Sequence, residues 1–269
     1  MASAEEANSS RKIFSIVLAT YNCGRKVEQT LESILCQNRD LFELIVVDGA
    51  STDDTLDCIK KYESDLTLIS EKDGGVYDAF NKGIDLTTGQ YLYFIGAGDR
   101  LRENVLETVS EFLPSDFPAL VYGDAYVVKE QIHYGGEYDE TRLHKQNICH
   151  QAVFYHRDIF KLVGKYNLRY SIFSDWALNL KCFGSRRIGK RYLQCVIVDF
   201  EGGGLSSTDG DADFKNDFPR LVRKYLGVKS YLAYRSPQVS SGLYRKVYFP
   251  FVRPFVSALR RLKNGGRES

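Results

Sequence analysis

The chain has 269 residues, of which 43% are hydrophobic and 26% are charged. These ordinary globular values exclude a disordered or fibrous protein and favour one large α/β domain with appended segments. The net charge of +1 excludes a strongly basic body that would bind nucleic acid.

Cysteine use and hydropathy favour a cytoplasmic protein. The six cysteines are scattered, with no CxxC pair or zinc-like spacing, which is typical of reduced thiols. Residues 1–12 are polar, lack the apolar core of a secretory signal and are predicted to be disordered. The longest apolar runs are strand-sized, whereas a membrane span takes about 20 residues.

The first hundred residues alternate between strand and helix patterns. Short, continuous apolar runs predict buried strands at 13–19, 44–47, 66–70 and 90–96. Apolar residues at helical spacing predict helices between them, at 27–35, 51–62 and 76–83, the second with Ser51 at its start. This alternation predicts a doubly wound, mostly parallel α/β sheet.

The second half is less regular. Strand patterns occur at 119–128, 150–156 and 191–200, and helix patterns at 102–113, 157–163, 175–183 and 213–226. Ser174 is the expected N-cap of the helix at 175–183. We divide the chain into a domain at 13–230, with a nucleotide-binding half at 13–100 and an acceptor half at 101–230, and a tail at 231–269.

The tail is basic. Residues 245–269 carry seven Lys or Arg and one Glu, so their charge is +6 and the rest of the chain is −5. Phe255, Ala258, Leu259 and Leu262 fall at helical spacing with basic residues between them, which predicts an amphipathic helix on an anionic membrane surface. The alternative is a terminal helix docked on the protein with a solvated basic face.

The ends of the first two strands carry polar residues, and ligands of open parallel sheets bind at such ends. Neither a GxGxxG pattern nor a phosphate loop follows the first strand, which argues against a dinucleotide fold. Asp48 could accept hydrogen bonds from a nucleobase or ribose, and Tyr21 offers a face on which a base could stack. The alternative is that Asp48 and Ser51 only form a turn and cap a helix.

The third and fourth strands are followed by further candidate groups. Gly74 and Gly75 allow close backbone approach, and Lys82 could neutralise a phosphate or be solvated. The fourth strand ends in FIGAGDR, where Asp99 is a candidate metal ligand and Ala97 stands two positions before it.

The ordered set TYN (20–22), DGAS (48–51), EKDGGVYDAFNKG (71–83) and strand-GD (98–99) resembles the family 2 glycosyltransferases of the GT-A fold, over residues 12–205. The resemblance implies a GT-A-like α/β/α sandwich, a nucleotide-diphosphate sugar donor and a divalent metal, Mg²⁺ or Mn²⁺. In that family a D-x-D motif at the position of 97–99 holds the metal, and this chain lacks the first aspartate. Because Mg²⁺ needs only one or two carboxylates when a diphosphate supplies further oxygens, we expect Asp99 to hold it together with the donor.

The resemblance also implies roles for individual residues. It places the general base at the start of a helix, where Asp175 stands, and inverting transfer needs a carboxylate that takes the proton of the acceptor hydroxyl. The alternative for Asp175 is a carboxylate that only complements the helix dipole. The expected donor-binding residues are Thr20, Tyr21, Asn22, Asp48, Ser51, Asp73, Gly75 and Lys82. The expected acceptor or diphosphate contacts are His150, Gln151 and Trp176, and His150 could instead replace the missing metal ligand.

These observations predict a glycosyltransferase that moves a sugar, with inversion, from a nucleotide-diphosphate sugar, UDP-linked by preference, to an acceptor hydroxyl. The tail favours a glycan or lipid-linked acceptor in cell-surface polysaccharide or glycolipid synthesis, at the inner face of the plasma membrane. Two alternatives remain open: a nucleotidyltransferase, and a non-catalytic nucleotide- or glycan-binding scaffold of the same fold.

Overall fold

The computed structural model describes residues 12–114, 116–202 and 210–236, and within them nine strands form one sheet. The strands are β1 (Phe14–Thr20), β2 (Phe42–Asp48), β3 (Thr67–Ser70), β4 (Tyr91–Gly96), β5 (Arg100–Leu101), β6 (Ala119–Val127), β7 (Ile132–Tyr134), β8 (Val153–His156) and β9 (Gly189–Phe200). The helices are α1 (Lys26–Leu35), α2 (Thr55–Lys60), α3 (Val76–Leu86), α4 (Val105–Ser110), α5 (Glu140–Leu143), α6 (Asp158–Val163), α7 (Ser174–Gly184) and α8 (Ala212–Arg235). Short 3₁₀ helices lie at Glu63–Asp65 and His150–Ala152.

The strand order across the sheet is β3-β2-β1-β4-β8-β6-β9-β5, with β7 paired to β6. Six strands, β1, β2, β3, β4, β6 and β9, run in one direction, and β5, β7 and β8 run against them. The predicted mostly parallel α/β sheet is therefore confirmed. The antiparallel β8 stands between β4 and β6 and separates the parallel strands β1–β4 from β6 and β9.

Apolar side chains cover both faces of the sheet. Along β1, Ile16 and Leu18 point to the core formed with α1, α2 and α4, whereas Val17 points to the core formed with α3, α6, α7 and α8. This two-sided burial explains why β1 is continuously apolar rather than alternating. On the second face α3 lies so close to β1 that a Cβ at Gly83 would overlap Val17.

Several predicted element boundaries are wrong. The helix predicted at 102–113 is the shorter α4, because Asn104 has φ 55° and lies outside the helix. α2 begins at Thr55, and Ser51 bonds Asp48 instead of capping it. Ser174 lies inside α7 rather than at its N-cap, and its buried hydroxyl has no hydrogen-bond partner among the described residues.

α8 is longer than the helix predicted at 213–226, and the boundary that we placed at residue 230 falls inside it. It bends at Gly227, whose φ of 86° is left-handed and suits glycine. In the described part of the chain no helix is long and apolar enough to cross a membrane. The predicted disorder at 1–11 and the predicted amphipathic helix at 255–262 lie outside the described residues.

Candidate active site

Asp48, at the end of β2, is a fully buried hydrogen-bond acceptor. Its Oδ1 accepts from Thr20 Oγ1 at 2.9 Å and Ser51 Oγ at 2.5 Å, and its Oδ2 accepts from the backbone N of Ser51 and from Ser70 Oγ, both at 2.8 Å. A carboxylate offers about four acceptor sites, so these bonds fill it. The Asp48 and Thr20 side chains tie together the ends of β1, β2 and β3. Their contact with the nucleoside stays a prediction.

Asn22 and Ser51 join the loops that follow β1 and β2. The backbone N of Asn22 donates to Ser51 Oγ at 2.9 Å, and Asn22 Oδ1 accepts from the backbone N of Thr52 at 2.8 Å. Asn22 has φ 43°, a left-handed conformation that asparagine tolerates. Both residues were predicted to bind the nucleotide-sugar donor. In the structure their side-chain oxygens connect the loop after β1 to the loop after β2.

The side chains of Tyr21 and Asp73 both lie close to Gly49. A Cβ at Gly49 would lie 2.8 Å from Asp73 Oδ2 and 3.2 Å from Tyr21 Cδ2. The Tyr21 side chain is 65% exposed, and Asp73 Oδ1 accepts from the backbone N of Gly75 at 2.9 Å. Three predicted donor residues, Tyr21, Asp73 and Gly75, therefore share one open surface with an aromatic face beside a carboxylate.

Lys82 lies on α3 and is already paired. Its Nζ is 2.8 Å from Glu71 Oε1 and donates to the backbone O of Lys72 at 2.9 Å. The Glu71 carboxylate raises the pKa of Lys82 through this contact. The ammonium therefore connects α3 to the loop between β3 and α3, and its binding of phosphate stays a prediction.

Asp99 follows β4 and is buried. Its Oδ1 accepts from the backbone N of Glu201 at 3.0 Å, and its Oδ2 accepts from Gln151 Nε2 at 2.9 Å. Burial raises the pKa of Asp99 to about 7, against the two hydrogen bonds and with a smaller contribution from the charge of Glu201. Gln151, predicted to touch acceptor or diphosphate, holds the Asp99 carboxylate.

Asp99 and Glu201 are suitable ligands for a divalent cation. The Glu201 carboxylate lies against Gly98, where an added Cβ would be 2.5 Å from Glu201 Oε2, so it stands beside the residue that precedes Asp99. Within the described residues no three His, Cys, Asp or Glu side chains gather into a metal-binding group. Two neighbouring carboxylates, one of them desolvated, fit a hard cation that draws its other ligands from water and a diphosphate.

The His150 ring lies among aromatic side chains. Its ring is stacked with Phe94 and contacts Tyr77, Phe80 and Tyr166, with centroid distances of 5.2 to 6.3 Å. Burial lowers the pKa of His150 to about 3, so the ring is neutral. Neither ring nitrogen has a hydrogen-bond partner in the part of the chain that the structure describes. The hypothesis that His150 replaces the missing aspartate is not supported.

Trp176 belongs to the core. Its indole Nε1 donates to the backbone O of Leu143 at 2.8 Å, and its ring packs on Phe214 and Phe218 of α8. The side chain is buried, and its contact with acceptor or diphosphate stays a prediction.

Asp175 lies in the first turn of α7 and is buried. Its Oδ1 accepts from the hydroxyl of Tyr77 at 2.8 Å, and its Oδ2 accepts from Asn147 Nδ2 at 2.6 Å. Burial raises the pKa of Asp175 to about 6, although the bonds from Tyr77 and Asn147 lower it. A carboxylate with this pKa can take a proton near neutral pH.

Asp175 and Asp99 both lie near Cys149. Burial raises the pKa of Cys149 to about 12, with further contributions from the charges of Asp99 and Asp175. The two carboxylates therefore lie within electrostatic reach of one thiol. Asp175 is also linked to the donor loop, because α3 begins after Gly75 and its Tyr77 contacts Asp175.

The sequence analysis did not single out three residues that contact the carboxylates of the candidate site: Tyr77, Asn147 and Glu201. Tyr77 lies inside the motif at 71–83 and was read as part of a helix. Glu201 directly follows the strand predicted at 191–200, so its place at a strand end was a usable signal. Asn147 lies in an irregular loop and carries no local signal.

Comparison with known proteins identifies the family of the chain. The model of glycosyl transferase family 2 matches residues 15–175. The PGL/p-HBAD biosynthesis glycosyltransferase of Mycobacterium bovis is 40% identical over 237 residues, which cover 85% of this chain and 93% of that protein. The matched region covers β1 and the base candidate Asp175.

Solved structures show the same fold. S. aureus TarS 1-349 in complex with UDP-GlcNAc has a TM-score of 0.67 at 19% identity, covering 88% of this chain and 74% of that chain. The mannosyltransferase PcManGT from Pyrobaculum calidifontis, in complex with GDP-Man and Mn²⁺, has a TM-score of 0.59 at 16% identity, covering 96% of this chain and 77% of that chain. By the family match and the Mycobacterium bovis relative, the chain belongs to glycosyl transferase family 2 and is a glycosyltransferase.

Proposed function

We propose that the protein transfers a sugar, with inversion, from a UDP-linked donor to a hydroxyl of a glycan or lipid-linked acceptor, with Asp175 as the general base. The observation that carries this proposal is the buried Asp175 carboxylate, which Tyr77 and Asn147 hold by one hydrogen bond to each oxygen. Its raised pKa, about 6, suits a group that must be ionised before transfer and protonated after it.

In the proposed reaction the acceptor hydroxyl gives its proton to Asp175 while its oxygen attacks the anomeric carbon. The bond from that carbon to the diphosphate oxygen breaks on the opposite side, and the nucleoside diphosphate leaves. Attack opposite the leaving group inverts the configuration. Buried donors around Asp175 lower the cost of its negative charge before the proton arrives.

The surface formed by Tyr21, Asp73 and Gly75 is the proposed donor site. The Tyr21 ring offers a stacking face, and Asp73 Oδ2 can accept from a nucleobase N–H or a ribose hydroxyl. The UDP-GlcNAc and GDP-Man named for the two solved structures support a nucleotide-sugar as the donor. UDP is our choice of nucleotide.

Asp99 and Glu201 would hold a divalent cation, Mg²⁺ or Mn²⁺. When bound, the cation supplies positive charge that stabilises the departing diphosphate. The Mn²⁺ named for PcManGT supports a metal in this fold. The chain's own contribution is to keep Asp99 in place through Gln151 and the backbone of Glu201.

We place the reaction in cell-surface polysaccharide or glycolipid assembly at the cytoplasmic face of the plasma membrane. The Mycobacterium bovis relative, named for PGL/p-HBAD biosynthesis, supports a glycolipid-related acceptor. The +6 charge of residues 245–269 supports attraction to anionic lipids.

The test is release of nucleoside diphosphate from a panel of nucleotide sugars, with Mg²⁺ or Mn²⁺ and candidate acceptors. We expect one sugar nucleotide to be consumed, and Asp175→Asn to stop transfer while donor binding by calorimetry persists. Release of sugar 1-phosphate instead of a nucleoside diphosphate would favour the nucleotidyltransferase, because transfer of the nucleotidyl group breaks the bond between the two phosphates. Donor binding without turnover in any combination would favour the non-catalytic scaffold.

A further inference from the structure

A buried chain of hydrogen bonds leads to Asp175 from the core that the sheet forms with α3, α6, α7 and α8. The hydroxyl of Tyr155, on β8, donates to Asn179 Oδ1 at 2.9 Å. Asn179 Nδ2 donates to Asn147 Oδ1 at 2.9 Å, and Asn147 Nδ2 donates to Asp175 Oδ2 at 2.6 Å. Four side chains from β8, α7 and the loop after α5 are therefore connected in series.

The direction of this chain follows from its end group. An ionised carboxylate only accepts, so Asn147 must present its NH₂ to Asp175 and turn its oxygen towards Asn179. The same reasoning makes Asn179 donate to Asn147 and accept from Tyr155. All three donors thus point towards the negative charge, an arrangement in which hydrogen bonds strengthen one another.

The middle of the chain is fixed by its surroundings. Asn179 is fully buried and lies one helical turn after Asp175 on α7, so both side chains share one face of the helix. The backbone O of Asn147 accepts from the hydroxyl of Tyr134 at 2.6 Å and from the hydroxyl of Tyr138 at 2.8 Å. Asn147 therefore has little freedom to turn away from Asp175.

The titratable groups that interact electrostatically with Asp175 are neutral at neutral pH. They are Tyr77 on α3, Tyr155 on β8, Tyr166 before α7 and Cys149 before the 3₁₀ helix. Burial raises the pKa of each of them, that of Cys149 to about 12. Because these neighbours are neutral, the hydrogen bonds donated to Asp175 offset the cost of burying its negative charge.

We propose that Asn179 is a positioning residue for sugar transfer, which orients Asn147 and through it keeps the Asp175 carboxylate ionised and aimed for proton transfer. Tyr155 completes the chain by occupying the oxygen of Asn179. The inference rests on the proposed role of Asp175 as the base, but the effect on the Asp175 carboxyl is measurable without catalysis.

The test is Asn179→Leu in the full chain, which keeps the branched shape of the side chain and removes both hydrogen bonds of its amide. We measure the pH dependence of kcat and, separately, titrate the ¹³C-labelled Asp175 carboxyl by NMR, assigned with Asp175→Asn. We expect the pKa of Asp175 to rise and kcat below that pKa to fall about tenfold, as for a lost hydrogen bond to a charged group. The KM for the nucleotide sugar should stay unchanged.

Two further variants keep the test decisive. Gln37→Leu removes another buried side-chain amide, which bonds the backbone O of Ser33 and Arg102, and should lower thermal stability without moving the titration of Asp175. Tyr155→Phe removes only a hydroxyl and should raise the pKa of Asp175 by less than Asn179→Leu does. Where Asn179→Leu does not fold, the comparison of Tyr155→Phe with Gln37→Leu carries the test.

The outcomes separate the two proposals. A titration of Asp175 that is the same in the native protein, Asn179→Leu and Tyr155→Phe overturns the positioning role. A shifted titration with unchanged kcat at every pH leaves the chain of hydrogen bonds standing and overturns Asp175 as the base.

Discussion

The hydroxyl of Tyr77 donates a 2.8 Å hydrogen bond to Oδ1 of Asp175 and so connects the first turn of α3 with the first turn of α7. The loop that precedes α3 carries Asp73 and Gly75, on the proposed donor surface. A single side chain therefore links the donor loop to the proposed base, across a separation of 98 residues in sequence.

Tyr77→Phe removes this donor while keeping the ring. We expect kcat at pH 6 to fall about tenfold, because a hydrogen bond to a charged group contributes about 1.5–3 kcal/mol. Steady-state kinetics at pH 6 and pH 8 measure the effect. Tyr166→Phe is the matched control, since the buried Tyr166 hydroxyl has no hydrogen-bond partner in the described ranges. Equal losses in the two variants would contradict a specific role for the Tyr77 hydroxyl.

The rate should depend on pH through Asp175. Its pKa is raised by burial to about 6, and only the ionised form can accept a proton. We therefore expect kcat to be constant above neutrality and to fall as the pH drops through about 6. A profile of kcat from pH 5 to 8.5, at saturating donor and metal, tests this; a rate that stays flat over that range would rule out Asp175 as the titrating base.

Gly49→Ala should weaken nucleotide binding. The added methyl group would lie 2.8 Å from Asp73 Oδ2 and would push Asp73 and Tyr21 apart. We expect the Kd for UDP, measured by calorimetry, to rise about tenfold, in keeping with overpacking of 1–3 kcal/mol. Gly74→Ala is the control, because its Cβ would meet only Asp78 at 3.7 Å, an ordinary contact distance. Unchanged UDP binding in Gly49→Ala would place the nucleotide elsewhere.

Substitution of the two proposed metal ligands should have graded effects. We expect Asp99→Asn to abolish metal-dependent transfer and Glu201→Gln to raise the half-saturating Mn²⁺ concentration about tenfold, since each supplies one hard oxygen ligand. Mn²⁺ binding in the presence of UDP, followed by electron paramagnetic resonance, gives a readout without turnover. Asp57→Asn on the exposed surface of α2 controls for loss of charge. Full Mn²⁺ affinity in Asp99→Asn would show that the cation binds elsewhere.

The basic tail should retain the protein on anionic membranes. We expect the full chain to sediment with liposomes that contain phosphatidylserine, and a chain truncated before Tyr244 to remain in the supernatant. The interaction should weaken between 0.05 and roughly 0.5 M salt, because screening shortens the reach of the basic residues. Equal sedimentation of both chains would refute the membrane role of the tail.

The central part of the fold was predictable because its signals are local. The apolar run of β1 and the helical spacing in α1 are properties of neighbouring residues, and both elements lie where we predicted them. The elements β5, β7 and α5 have two to four residues, too few to display a period. The antiparallel insertion of β8 depends on long-range pairing, which no local pattern records.

The site was predictable as a location more than as a set of contacts. Sequence reasoning placed Asp48, Asp99 and Asp175 at the ends of strands or the start of a helix, and they lie there. It did not reveal that hydrogen-bond donors of the chain itself occupy the acceptor sites of the Asp48 carboxylate. One of these donors is Ser70, 22 residues away in sequence, and another is the nearby Ser51. The support of Asp99 by Gln151, 52 residues away, was hidden for the same reason.

The four hydrogen bonds on Asp48 mean that the ends of β1, β2 and β3 are held together before any ligand arrives. The conformational freedom of the loops after β1 and β2 is lost during folding, so a nucleotide need not order them again on binding. Donor capture should therefore resemble docking to a rigid receptor, with little backbone movement at Tyr21 and Gly49. Selectivity among nucleotides then depends on the preformed shape of the surface around Tyr21, Asp73 and Gly75 rather than on closure induced by the ligand.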